Sequence, residues 1–203
     1  EWWHAVDNYF AKMRQGKGDY MTTSRDVSLA SRGSDYMPYG GVRKEVVDAF
    51  GSVVKSINIT GMKKRAGNLD KKRTKEYWGT GEELAARAFE SYLISKLQDQ
   101  NASNDYLANV VSQDAWNAAA ALGIENEDSY PYPTNEEIPS IRAGFDQLFQ
   151  TLQTKETDRG VALFSLSGQT SSAAPGITAE SLPAAFAQRF PKLAGAIKTM
   201  LDR

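Results

Sequence analysis

The sequence predicts a mainly α-helical protein, and three observations support this prediction. Apolar residues recur at three- and four-residue steps along most of the chain, which is the spacing of one buried helix face. Only the short apolar run 161–166 is typical of a strand. Hydrophobic residues make up 41% and charged residues 24% of the 203 residues, a composition typical of globular domains. We therefore expect one helical domain with room for part of a second.

Four helices follow from the apolar stripes. They are predicted at residues 1–13, 42–54, 81–97 and 136–152. Thr80 is a suitable N-cap for the third, because Glu82 and Glu83 follow in the first turn, where the helix dipole favours acids. Residues 19–41 are rich in serine, glycine and tyrosine and are predicted to form a loop. Residues 104–122 are predicted to be helical or mixed.

The chain divides into three parts by composition. Residues 1–166 form the main domain, and the Ser/Ala/Pro/Gly-rich stretch 167–177 is a predicted linker. Residues 178–203 carry a further helical stripe and are predicted to begin a following helical module. The first residue is Glu1 rather than methionine, and no signal segment follows it. We expect the chain to begin inside a longer protein.

Composition excludes several classes of function. A net charge of −1, from 24 basic and 25 acidic residues, argues against a general polyanion binder. No run approaches the roughly 18 apolar residues of a membrane span, so we expect no membrane partner. The absence of cysteine excludes disulfides, thiolate metal sites and cysteine nucleophiles. His4 is the only histidine, so a site that needs two cannot be complete within this sequence.

The amino end carries part of a zinc-peptidase motif. In H-E-x-x-H, two histidines one helical turn apart bind zinc, and the glutamate accepts a proton from the attacking water. The chain starts Glu-Trp-Trp-His, which is this motif without its first letter. A lone histidine such as His4 is, however, more often a packed or surface residue than a metal ligand. Trp2 and Trp3 are interpreted as packing residues.

A second segment supports the zinc interpretation. Residues 4–7 (His-Ala-Val-Asp) and 83–89 (Glu-Leu-Ala-Ala-Arg-Ala-Phe) together resemble the zinc site of lethal factor-like gluzincins. The surrounding sequence, including residues 77–78, 86–92 and 163–165, resembles the large polyvalent protein-associated domain of phages and conjugative elements. This resemblance covers roughly residues 1–166.

The resemblance implies roles for individual residues. His4 and Glu83 would be zinc ligands, and Glu1 would be the general base. Tyr77 would hydrogen-bond the oxyanion, although its spacing to Glu83 is one residue shorter than in those relatives. Alternatively, Glu83 is a first-turn acid paired with the arginine one turn later, and Tyr77 is a core aromatic.

Three further residues are predicted to support these ligands. Asp7 lies one turn after His4 and is expected to accept the second ring N–H of the imidazole. Arg87 and Glu90 share a helix stripe with Glu83, because they follow it by four and seven residues. Zinc peptidases use three protein ligands, so two ligands predict weak or absent zinc binding and no turnover in this chain. A histidine preceding Glu1 is the condition for activity.

The resemblance therefore implies the C-terminal helical part of a zincin-like metallopeptidase domain, without the preceding β-sheet. The implied activity is zinc-dependent hydrolysis of a peptide or protein substrate. The implied setting is a long polypeptide with neighbouring domains, in the bacterial host cytoplasm or the phage virion. The first alternative is a non-catalytic helical scaffold or interaction module.

A basic stretch gives a second alternative. Seven cations fall within thirteen positions: Lys63, Lys64, Arg65, Lys71, Lys72, Arg73 and Lys75. Such a cluster neutralises phosphates in nucleic-acid-binding proteins. No aromatic residue lies between them for base stacking, and the overall charge is balanced. We therefore favour a solvated, mobile loop over nucleic-acid contact.

Overall fold

The computed structural model describes residues 1–15, 20–23, 42–105, 108–157 and 160–164. This part of the chain folds into six α-helices and one β-hairpin, so the predicted mainly α fold is confirmed. The helices are α1 (Trp2–Gln15), α2 (Lys44–Asn58), α3 (Met62–Asp70), α4 (Gly81–Asp99), α5 (Gln113–Ala121) and α6 (Ile138–Thr151). The predicted linker and the module after it lie outside the described residues, as does most of the predicted loop 19–41.

The core forms where α2, α4 and α6 pack together and α1 packs on α4. Gly144 on α6 permits a close approach to α2, because a Cβ there would lie 2.6 Å from the Ser56 Oγ atom. Aromatic rings fill the space between the helices. The Trp3 and Phe145 ring centroids are 5.0 Å apart with an edge-on geometry, and those of Phe89 and Phe145 are 5.4 Å apart. These contacts fix how α1 and α4 lie relative to each other.

The segment 63–75 corrects one prediction. We expected a mobile loop, but residues 62–70 form α3. Its polar composition concealed a short apolar side, on which Met62 and Ala66 are buried one turn apart. This helix is therefore held by the core and by neighbouring polar contacts rather than solvated on all sides.

Residues 104–122 were predicted to be helical or mixed, and in the described part of this range (104–105 and 108–122) the helix is α5. Ser112 caps this helix, because its hydroxyl accepts the Ala115 N–H at 3.2 Å. No residue of α5 is buried.

None of the helices in the described ranges is long and apolar enough to cross a bilayer.

The hairpin follows α6 directly. Strands β1 (Gln153–Thr157) and β2 (Gly160–Phe164) pair antiparallel, with Gln153 opposite Phe164. The predicted strand at 161–166 corresponds to β2. Its partner β1 was not predicted, because the polar sequence of 153–157 has no apolar run.

Candidate functional site

The first turn of α1 and one side of α4 from Glu82 to Leu93 line an open cleft of about 620 Å³, together with Tyr20, residues 77–78 and Tyr132. Six residues that the sequence selected lie on its walls: Glu1, His4, Tyr77, Glu83, Arg87 and Glu90. Both helices begin at the cleft, so side chains far apart in sequence are brought to one place.

His4 and Glu83 lie side by side in this cleft. The His4 Nε2 atom is 3.4 Å from the Glu83 Oε1 atom, and about a fifth of each side chain is exposed. Two donor atoms bound to one tetrahedral zinc ion would be about 3.3 Å apart. The distance also suits an ion pair with a protonated imidazole. The geometry thus brings the two predicted ligands together and is compatible with both interpretations.

The structure does not add a third ligand to this pair. Among the residues that it describes, no group of three or more His, Asp or Glu side chains is placed to hold a metal ion. Glu1 is exposed at the edge of the cleft.

The expected contact between Asp7 and His4 is not formed. Asp7 is fully buried; its Oδ1 atom accepts the Met21 N–H at 2.7 Å, and its Oδ2 atom accepts the Thr22 hydroxyl. The His4 Nδ1 atom is buried and has no hydrogen-bond partner within the described ranges. Asp7 therefore ties α1 to residues 21–22 rather than orienting the imidazole.

Tyr77 is held at the cleft by Asp70, a residue that the sequence did not single out. The Asp70 carboxylate accepts the backbone N–H groups of Tyr77 at 3.0 Å, Trp78 at 3.0 Å and Gly79 at 2.8 Å. Burial alone would raise the pKa of Asp70, but these bonds and the nearby Arg73 charge lower it. An aspartate that ends a helix gives no sequence signal of this kind, because its partners are backbone atoms several residues later.

Replacing Asp70 with alanine is expected to lower the free energy of unfolding by about 2 kcal/mol, because three N–H groups lose a charged acceptor. Urea unfolding followed by circular dichroism measures the change. Asp99→Ala is the control, since this carboxylate is exposed and binds only the side chain of Arg142 among the contacts described. Equal unfolding midpoints for the two variants would contradict the role given to Asp70.

The Tyr77 hydroxyl lies near Glu83. Burial raises the pKa of the phenol, and the negative charge of Glu83 and hydrogen bonding to its carboxylate raise it further. The side chain is 42% exposed. At neutral pH the phenol therefore remains a hydrogen-bond donor that faces the cleft.

Arg87 is the most buried charged side chain on the cleft wall, with 5% of its surface exposed. Its Nη2 atom donates to the Trp78 carbonyl oxygen, and its guanidinium lies 4.9 Å from the centre of the Trp78 ring. Burial lowers the pKa of Arg87, whereas the charge of Glu83 opposes that effect. Its Nε and Nη1 atoms have no partner among the described residues.

Glu90 lies further along the same wall. Burial raises the pKa of its carboxyl group, while the Asn109 N–H at 3.4 Å and the Arg87 charge act in the opposite direction. Sequence reasoning missed three other residues that line the cleft: Tyr20, Glu82 and Tyr132. Tyr20 packs edge-on against His4, with ring centroids 5.4 Å apart. Hydrophobic periodicity does not indicate these residues, because Tyr20 and Tyr132 lie outside the helices and Glu82 lies beside the apolar stripe of α4.

Of the seven cations in the basic stretch, Arg65 is largely buried and the other six are exposed. Arg65 points inward, where its Nε atom donates to the Tyr130 carbonyl at 2.8 Å and its Nη2 atom to the Glu137 carboxylate at 2.6 Å. Arg65 therefore makes structural contacts within the fold. The exposed members are Lys63, Lys64, Lys71, Lys72, Arg73 and Lys75.

The structure defines a small helical domain with a cleft between α1 and α4. Residues 69–156 match the family model of large polyvalent protein-associated domain 1, so this part of the chain is similar to that domain. The match confirms the predicted resemblance to the large polyvalent protein-associated domain for the part of the chain from α4 to α6. It includes Tyr77, Glu83 and Arg87 but not His4. No curated protein and no solved structure matches the chain.

Proposed function

We propose that the cleft is the zinc-binding part of a gluzincin-like metallopeptidase domain within a phage or mobile-element polyvalent protein. The observation that carries the proposal is the 3.4 Å separation of the His4 Nε2 and Glu83 Oε1 atoms. These residues stand in the first turns of two different helices. Their convergence is what a shared metal ion requires.

The proposed third ligand is a histidine directly before Glu1. The Ala5 N–H donates to the Glu1 carbonyl at 3.0 Å, so helical hydrogen bonding already starts at Glu1. A histidine directly before Glu1 would stand four residues before His4 and share its helix face. Such a histidine would complete a set of two imidazoles and one carboxylate.

The remaining residues have roles that follow from their positions. Zinc, when bound, supplies charge that lowers the pKa of an attacking water toward neutrality. The Glu1 carboxylate at the cleft edge accepts the proton of that water. The Tyr77 hydroxyl donates a hydrogen bond to the oxygen on which negative charge develops. A peptide or protein substrate is the partner that this chemistry implies.

The test extends the chain at its amino end. One variant carries three alanines and a histidine before Glu1, and its matched control carries four alanines. We expect calorimetry to show one zinc per chain in the histidine variant, bound roughly 100-fold more tightly than in the control. His4→Ala or Glu83→Gln in the histidine variant should each remove this gain. Equal zinc affinity of the two extended chains would overturn the proposal.

Catalysis is tested separately from metal binding. Glu1→Gln in the histidine-extended chain is expected to keep zinc but to lose peptide hydrolysis by roughly 100-fold or more, because the proton acceptor is gone. A mixed peptide library with mass-spectrometric readout measures the cleavage. Zinc binding without cleavage in either chain would favour the non-catalytic scaffold.

Nucleic-acid contact is the second candidate, and the six exposed cations of α3 and the following loop favour it. Replacing Lys63, Lys64, Lys71 and Lys72 with glutamine should then weaken DNA binding and flatten its salt dependence. Unchanged affinity at each salt concentration would remove this candidate. Arg65 is kept in the variant, because it is a structural contact.

A further inference from the structure

The Arg87 guanidinium has hydrogen-bonding capacity that the fold does not use. An arginine has five N–H donors, of which three belong to the Nε and Nη1 atoms. Those two atoms have no partner among the described residues, and the side chain is 5% exposed. A buried charge with unmade hydrogen bonds is costly unless a group of opposite charge completes them.

We propose that Arg87 binds a carboxylate group of a peptide that occupies the cleft. The inference rests on the proposed function, from which the peptide nature of the ligand follows. Arg87 lines the cleft together with Tyr132 and with Glu83, the predicted zinc ligand, and Glu83 is close enough for its charge to act on the guanidinium. A peptide that crosses the cleft at Glu83 therefore passes Arg87.

The surrounding charges select the kind of anion. Four carboxylates line the cleft: Glu1, Glu82, Glu83 and Glu90. They repel a doubly charged phosphate more strongly than a singly charged carboxylate. Guanidinium and carboxylate groups also match in shape and form charge-assisted hydrogen bonds. A carboxylate is thus the anion that gains most from Arg87 at the least electrostatic cost.

Neighbouring groups fix the guanidinium and limit access to it. The Trp78 carbonyl and ring hold it from one side. Its unpartnered nitrogens have no solvent contact, so an incoming carboxylate must displace part of the cleft wall. Tyr77, which lines the same cleft, is 42% exposed. The aromatic side chains of Trp2 and Tyr132 remain to pack against the peptide.

The experiment uses the full chain without zinc, so that it is independent of metal binding. N-acetyl-Phe-Ala with a free carboxylate is titrated by calorimetry and compared with its C-terminal amide. N-acetyl-Phe-Asp amide, with only a side-chain carboxylate, shows which source of carboxylate is accepted. We expect at least one acid to bind at least tenfold more tightly than the uncharged amide.

Arg87→Gln should abolish this preference, whereas Arg73→Gln, which removes an exposed arginine next to Tyr77, should retain it. Circular dichroism confirms that each variant is folded, and the comparison of acid and amide on the unaltered chain stands even if Arg87→Gln unfolds. Equal affinities of acids and amide, no binding of any probe at 10 mM, or a preference that persists in Arg87→Gln would overturn the inference. Failure of zinc binding in the extended chains would overturn the metal site and leave this result unaffected.

Discussion

Replacing Phe145 with alanine is expected to lower the free energy of unfolding by about 4 kcal/mol, the largest effect of any single substitution considered. Phe145 is fully buried on α6 and contacts the rings of Trp3, Phe89 and Tyr92. Alanine removes apolar surface and leaves a cavity, since three helices meet at this ring and cannot all close around it. Urea unfolding of the two chains measures the difference.

The control is Leu122→Ala, because this leucine is 77% exposed at the end of α5. We expect the control to change the free energy of unfolding by less than about 0.5 kcal/mol. A loss below about 1 kcal/mol in Phe145→Ala would mean that the aromatic cluster is not the packing centre described. The relative placement of α1 and α4, and with it the cleft, would then be in doubt.

Replacing Arg65 with methionine is expected to cost about 3 kcal/mol of stability at pH 7, because it leaves the half-buried Glu137 carboxylate without its cation. Both side chains are only 16% exposed, and the Nη2 and Oε2 atoms are 2.6 Å apart. Arg65 also donates to the carbonyls of Tyr130 and Tyr132, so the substitution detaches that segment from α3.

The same pair predicts a pH dependence. Burial alone would raise the pKa of Glu137, but hydrogen bonds from Arg65, the Thr134 N–H and the Gly61 N–H lower it below 4.5. A lowered pKa in the folded state gives stability that is complete above the unfolded pKa and lost as pH falls through the folded pKa. The deficit of Arg65→Met should therefore be largest at neutral pH and shrink as the pH falls below about 4.3, the ordinary glutamate pKa.

Chemical unfolding at pH 7 and pH 3 measures this change. Lys64→Met is the matched control, because Lys64 is adjacent, exposed and loses a cation in the same way. It should show neither the deficit nor its pH dependence. A deficit in Arg65→Met that stays constant between the two pH values would contradict the ion pair as its cause.

The fold was predictable from sequence where an apolar stripe ran for several turns. Periodicity located α1, α2, α4 and α6 to within a few residues, because each buries one long face against its neighbours. It failed at α3, whose buried side consists of Met62 and Ala66 among cations. Two apolar residues one turn apart give too weak a pattern to distinguish a short helix from a loop.

The site was predictable only in part, for a different reason. Motif resemblance paired His4 with Glu83, whereas no periodicity relates residues on separate helices. Arginine side chains are usually exposed, whereas Arg87 is buried. The sequence therefore placed Arg87 on the same helix stripe as Glu83 but did not predict that it is buried in the cleft wall. Asp70 accepts three backbone N–H groups, and Asp7 accepts the Met21 N–H beside the Thr22 hydroxyl; backbone donors carry no residue signature.

If the proposed site is correct, the His4 imidazole and the Glu83 carboxylate meet closely enough to bind one metal ion. His4 is the only histidine, so its ring protons give an NMR signal that needs no assignment. The measurement is a zinc titration of the chain followed at that signal, in parallel with Glu83→Gln and with Glu45→Gln as an exposed control. We expect weak zinc binding at His4 that loses roughly tenfold in affinity in Glu83→Gln and is unchanged in Glu45→Gln. Identical titration curves for all three chains would contradict it.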